Sequence, residues 1–298
     1  MRISIVTDEL SADPETAFEL GLEWGVTEFE LRGVHEGRLP RISPHARRRL
    51  VRAVREFGVT ITAVSPGLFK GPFPSDAPQR SNLHWMDAGF DSAWSQARAM
   101  LSDHLDALLP ETLDFAGEVG ARSVIAFSFR REGMVGDGIP GTVVEAVARA
   151  AERAGAAGLD LLVETEEGHW ANTGARTAAL IAAAGRPANL GVNWDPANAL
   201  IDGDVPYPDG WSEVRPLVRN VHFKDVRVEP SGTWRIVEQG GVDWEGQIGA
   251  LLEEGYAGAI GVEPHLSPSV ASTRRALERL RRLIAAAEGR REKNQPGS

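Results

Sequence analysis

The feature that most constrains this chain recurs in its second half: four apolar segments, each leading into a residue able to bind a metal ion. The segments are LLVET, LGVNWD, RNVHFKD and AIGVEPH, and the residues are Glu164, Asp195, His222 and Glu263. An unbroken apolar run is the pattern of a strand buried on both faces. Successive ligand-type residues are 31, 27 and 41 positions apart, and one strand with its crossover helix takes roughly 30 residues. Such residues fall at the same end of consecutive parallel strands. In a closed βα barrel that is the end where chemistry is done.

The rest of the chain extends the pattern. Short apolar runs predict strands near residues 2–7, 26–31, 59–65, 122–128, 159–164, 189–195, 218–223 and 258–263. Helical periodicity falls between them near 13–24, 43–57, 98–119, 140–157, 173–184, 243–254 and 268–287, and the sixth crossover is short and broken by Pro206, Pro208 and Gly210. Asp13-Pro14 and Ser43-Pro44 put a cap and then a proline at helix starts. Eight such units without a composition break predict an α/β chain that forms a single (β/α)8 TIM barrel over 1–288. Two embellishments are expected. Residues 66–97 make a long connection after the third strand, rich in Pro and aromatic residues, which reads as a lid or pocket wall. The period-two segment around Ser231-Gly232 reads as a β-hairpin after the seventh strand. The polar stretch 289–298 reads as a disordered tail.

Net charge is −10, which argues against a general nucleic-acid binder. No run approaches the ~18 apolar residues that span a bilayer, and the N-terminus lacks a signal-peptide pattern. A cytoplasmic protein with no membrane partner is the expectation. With no cysteine, thiol and disulfide chemistry are excluded.

Three carboxylates and one imidazole suit a single divalent ion, Mn2+ first, with Mg2+, Co2+, Fe2+ or Zn2+ behind it. Four protein ligands leave room for two vicinal substrate oxygens, as in a hydroxyketone. The ion would polarise the carbonyl and stabilise an enediolate, while Glu164 and Glu263 act as general base and acid. Arg32, Lys70 and Lys224 are candidates for binding substrate oxygens or a phosphate, or else charge partners of the acidic ligands. His169 is a candidate acid/base or hydroxyl contact. His35, Arg130, Trp170, Asn172, Trp194 and Asn198 are candidates for the pocket wall.

The segments ELR (30–32), SPGLFK (65–70), LLVETEEGHW (161–170), NLGVNWDPANAL (189–200), VHFKD (221–225), GGVDW (240–244) and GVEPH (261–265) resemble the xylose-isomerase-like TIM-barrel superfamily. More narrowly, the chain is similar to its sugar-phosphate isomerase/epimerase branch, with ketose 3-epimerases and inosose enzymes. That resemblance implies metal ligation by Glu164, Asp195, His222 and Glu263, proton transfer by Glu164 and Glu263, and a small carbohydrate-like substrate. It leaves room for a homo-oligomer. Asn198 stands where ketose epimerases commonly carry a His, and Glu166 where relatives often carry another. Both positions concern substrate handling, so a metal-dependent lyase, dehydratase or 3-keto-glycoside deglycosidase is the alternative. An apurinic endonuclease and a non-catalytic barrel are the remote ones.

Overall fold

The apolar runs become the staves of a closed barrel. The structure is a computed structural model that describes residues 1–72, 90–131 and 138–294, with main chain only at 90–96 and 294. In chain order the strands are β1 (Arg2–Val6), β2 (Glu28–Leu31), the short β3 (Gly33–Val34) and β4 (Gly37–Arg38), β5 (Thr60–Leu68), β6 (Ser123–Ala126), β7 (Asp160–Glu164), β8 (Leu190–Trp194), β9 (Val218–Phe223), β10 (Asp225–Val228), β11 (Trp234–Val237) and β12 (Ala259–Val262). The barrel runs β1-β12-β9-β8-β7-β6-β5-β2 and closes on itself, with parallel pairing throughout. The remaining strands form two antiparallel hairpins, β3-β4 and β10-β11.

The helices form where pattern and caps agree. Asp13 Oδ1 accepts from Thr16 N and Ser43 Oγ from Ala46 N, each followed by proline at the first helical position. The helix Gly141–Ala156 buries Val143, Ala146, Val147, Ala150, Ala151 and Ala154. That is the stripe a helix presents to a sheet.

Barrel interiors of this type are usually filled by branched apolar side chains. Here Ala63, Ile125 and Leu162 form one small apolar cluster of their own. Other interior places are polar. Glu30 on β2 reaches His222 and Asn220 on β9, three strands away round the barrel. Asn220 in turn donates to Asn193 Oδ1 on β8. These chains cross the lumen, and their strands cannot slip by one residue without turning charge into the helical layer. Gly261 on β12 gives them room, since a Cβ there would stand 3.3 Å from His222 Cδ2 and 3.4 Å from Ser4 Oγ.

The hairpin around Ser231-Gly232 forms as expected, with Trp234 opposite Val228. The sixth crossover is broken into Pro196–Ile201, Pro206–Gly210 and Trp211–Val214. The short β3-β4 hairpin has no counterpart in the sequence reading. The expected lid falls largely outside the described residues, including Pro74, Pro78, His84 and Trp85. The expected tail needs correction. The last helix runs Ser269–Asn294, because Ala287 is buried and Arg291 Nη1 donates to Leu252 O at 3.0 Å; residues 295–298 lie outside the described residues. Among the described residues no helix is long and apolar enough to cross a membrane.

Where β5 ends, Phe69 N donates to His104 Nδ1 at 2.8 Å. That nitrogen accepts only when unprotonated, and burial pushes the imidazole down to about 4. The folded value lies below the unfolded one of about 6.5, so this contribution is complete above about pH 6.5 and is lost as pH falls towards 4. After discounting for partial exposure, we expect a loss of about 1 kcal/mol by pH 5.5. Thermal melts of wild type and His104→Gln between pH 5 and 7.5 check it. The variant should be less stable at neutral pH and show a flatter acid limb, and parallel curves would refute the assignment.

Candidate metal centre

Each expected ligand is delivered by the end of a barrel strand. Glu164 is the last residue of β7, Asp195 follows β8, His222 lies near the end of β9, and Glu263 follows β12. All four are buried, and each offers one ligand atom within 4.8 Å of the others. The strand-end spacing in sequence has become a single cluster in space.

Asp195, His222 and Glu263 are each oriented by contacts outside the ligand set. Asp195 caps the helix Pro196–Ile201, its Oδ1 accepting from Ala197 N and Asn198 N at 3.0 Å each. Its Oδ2 lies 2.7 Å from Lys224 Nζ. His222 Nδ1 faces Glu263 Oε2 at 3.2 Å and Glu164 Oε1 at 3.5 Å, while Nε2 faces Glu30 Oε2 at 3.0 Å. A carboxylate behind the far nitrogen is the arrangement that fixes a metal-binding imidazole. Glu263 Oε1 takes Arg32 Nη1 at 2.5 Å and Oε2 lies 3.4 Å from Lys224 Nζ.

Electrostatics show why the cluster requires cations. Burial alone would drive the His222 imidazole down, but Glu263, Glu30 and Glu164 hold it well above its ordinary value. Burial likewise works against the Lys224 ammonium, yet Asp195 and Glu263 hold its pKa well up. Burial would raise the Glu263 carboxyl, and His222, His265 and Lys224 reverse this, leaving it well below the usual range. Burial wins at Asp195, whose carboxyl is raised. A proton on His222 and the Lys224 ammonium thus supply positive charge to a crowded set of carboxylates. Oxygen donors with one imidazole and excess negative charge fit a divalent cation.

The cluster opens into a cavity of about 310 Å³ whose wall includes Glu164, Glu263, Arg32, Lys70, Asn198 and Lys224. The expected substrate-contact cations therefore reach the cavity, but each already meets carboxylates. Arg32 binds Asp8, Glu9 and Glu263, and Lys70 Nζ lies 2.6 Å from Glu166 Oε1. Asn198 Nδ2 donates to Glu166 Oε2 at 2.9 Å and to Thr165 O at 3.1 Å. His169 is not among the wall residues. It is buried, its Nδ1 is 2.8 Å from Glu167 O, and burial pushes it down to about 4. His35 lines a separate shallow groove, and Trp194 is core, donating to Gln247. Arg130, Trp170 and Asn172 are also absent from the wall.

Several contributors escape the sequence reading. Glu30, Asn193 and Asn220 form the support under His222. Glu9 binds His265 Nδ1 at 2.6 Å and accepts from His265 N, which sits at φ 51 just past Glu263. Glu9, Glu263 and His265 form a second donor group, but the Arg32 guanidinium occupies its centre. Glu167 also lines the cavity, and burial with help from Glu166 raises its carboxyl to about 7. Of these only Glu30 leaves a readable trace, a charge set between Phe29 and Leu31 in the strand segment EFEL.

Comparison with known proteins agrees with this fold. A family model described as "Xylose isomerase-like TIM barrel" matches residues 18–283. No curated protein matches. Among solved structures, an L-ribulose 3-epimerase aligns with a TM-score of 0.71 at 18% identity, covering 99% of this chain and 98% of that one. The IolI protein with a binding zinc atom aligns at 0.70 and 16% identity, covering 96% and 99%. The probable 3-DHS dehydratase AsbF from Bacillus anthracis aligns at 0.63 and 16% identity, covering 93% and 98%. At such identities the likeness is one of fold.

Among the described residues Glu30 meets the far side of His222 and the Asn220 amide but none of the other three ligands, which makes it a probe of His222 alone among the ligands. Glu30→Gln should weaken Mn2+ binding by roughly 10–100-fold, read by calorimetric titration of chelator-treated protein. Unchanged affinity would remove His222 from the ligand set or Glu30 from its support.

Proposed function

The chain belongs to the xylose isomerase-like TIM barrel family, and from that premise we propose that it is a divalent-metal-dependent isomerase or epimerase. Its substrate in this reading is a sugar, a sugar phosphate or a polyol-derived ketone. The observation that carries the proposal is the convergence of Glu164, Asp195, His222 and Glu263, buried within 4.8 Å of one another, with Glu164 and Glu263 in the wall of a cavity of about 310 Å³. A single ion held by these four residues, Mn2+ first, supplies Lewis-acid polarisation of a carbonyl.

The chain's own groups handle the proton. Glu263 is held as a carboxylate in the cavity wall, able to take a proton from carbon at one oxygen. Glu164 offers the second carboxylate. Two bases acting on one carbon give epimerisation, and transfer between neighbouring carbons gives aldose–ketose isomerisation. Lys224, poised between Asp195 and Glu263, donates to a substrate oxygen that gains charge. Arg32 holds Glu263 in place through Nη1 while anchored on Asp8 and Glu9. Net charge −10 weighs against a DNA substrate, and the reading includes a cytoplasmic place of work without membrane partners.

One observation favours a second outcome on the same scaffold. Glu167 lines the cavity with its carboxyl raised to about 7, so near neutral pH a large fraction of molecules hold a proton there that can be given to a leaving group. Elimination from an enolisable substrate, as by a lyase, dehydratase or 3-keto-glycoside deglycosidase, would use that acid.

Metal-loaded protein incubated in D2O with a panel of ketoses and inososes should wash deuterium into the carbon next to the carbonyl. Glu164→Gln or Glu263→Gln should slow this by roughly 10²–10⁴-fold. Absence of exchange across the panel would overturn the proposal. Product mass separates the two outcomes, because isomerisation conserves it and elimination does not. If elimination is the reaction, Glu167→Gln should suppress release of the leaving group more than isotope exchange.

A further inference from the structure

Arg38 stands apart from the other cationic side chains of the cavity wall. Arg32, Lys70 and Lys224 are each neutralised by carboxylates. Arg38 lines the same cavity, but its contacts are neutral oxygens. Its Nε donates to Ser65 O and its Nη2 to Ser65 Oγ, each at 2.9 Å. Among the described residues no carboxylate forms an ion pair with it. Burial lowers its pKa and repulsion from Arg32 adds to that, while the more distant Glu164, Asp8 and Glu263 pull the other way; the guanidinium stays charged at any physiological pH. A half-buried cation facing a cavity without an ion-pair partner is costly unless a ligand supplies one.

The position is built rather than incidental. Arg38 ends the β3-β4 hairpin, paired with Gly33. Gly67, at φ +80, passes so close that a Cβ would lie 3.1 Å from Arg38 Nε and 3.2 Å from its Cδ. The bare backbone at the end of β5 lets the guanidinium lie against it, with the Phe127 ring 5.9 Å away. Ser65 uses two of the five N–H donors, and the remaining three suffice for a two-point grip on a planar oxyanion.

We propose that Arg38 is the recognition site for a carboxylate on the substrate, so that the preferred substrate is a sugar acid and not a neutral sugar. This rests on the reading of the metal centre above for the reaction, but not for the binding of the anion. One uncommitted guanidinium matches one negative charge. A phosphate dianion at the same place would leave about half its charge unmet, so carboxylate is favoured over phosphate.

Two measurements test it. With the divalent ion in place, calorimetric titration should show D-gluconate binding about tenfold or more tighter than sorbitol. Arg38→Met should abolish that difference and Arg38→Lys should retain part of it, which separates loss of charge from loss of folding. Equal affinity for the two ligands, or a gluconate preference that survives in Arg38→Met, overturns the proposal. In the D2O exchange assay, the ratio of kcat/KM for a keto-sugar acid over the matching neutral ketose should exceed about ten and collapse in Arg38→Met. A higher ratio for the ketose phosphate than for the acid would overturn the choice of carboxylate. Should no ketose exchange at all while gluconate keeps its Arg38-dependent preference, the isomerase reading fails and the anion site stands.

Discussion

Buried negative charge at the mouth of the barrel organises this molecule. Glu30, Glu164, Asp195 and Glu263 are all withdrawn from solvent, where an unpaired carboxylate is expensive. The surroundings answer that cost residue by residue. Lys224 lies against Asp195, Arg32 against Glu263, and His222 between Glu30 and the ligand carboxylates. A divalent ion fits because the protein has assembled the anionic side of the complex in advance, with Asp195, His222 and Glu263 each held by groups outside the ligand set.

Arg32 also has a mechanical part. Its three nitrogens reach Asp8 and Glu9 just past β1, and Glu263 just past β12, while its own backbone follows β2. The β12–β1–β2 stretch of the rim is thereby tied by one side chain. His265 reinforces the tie at the same Glu9 Oε1 that Arg32 holds, accepting a left-handed backbone to do so. Strain of this kind persists only where neighbouring contacts over-determine it.

Much of this was legible in the sequence, for reasons that can be named. Strands buried on both faces write themselves as uninterrupted apolar runs, so eight of them stood out, and the ligand-type residue at the end of each of the last four marked the rim. Glu164, Asp195, His222 and Glu263 come together as their spacing implied. What stayed hidden depends on pairing across the barrel. Asn193 and Asn220 look like ordinary polar breaks until the closed sheet puts them beside each other. Lys70 and Lys224 read as either substrate contacts or charge partners, because their partners, Glu166 and Asp195, lie far along the chain and no local pattern chooses between the two. Arg38 sits on a hairpin too short to show any periodicity. The last helix outlasted its apolar stripe because Arg291 grips a carbonyl of the preceding helix, which no local pattern records.

The two oxygens of Asp195 answer to different masters. Oδ1 is spent on the amides that begin the helix Pro196–Ile201, and Oδ2 faces Lys224 across the cluster. Exchange of counterion at Oδ2 can therefore proceed without unfastening the helix, which carries Asn198 and Ile201 into the cavity wall. The vessel keeps its shape whether its charge is balanced by an ammonium or by an inorganic ion, so loading and unloading need not remodel the space in which a substrate lies.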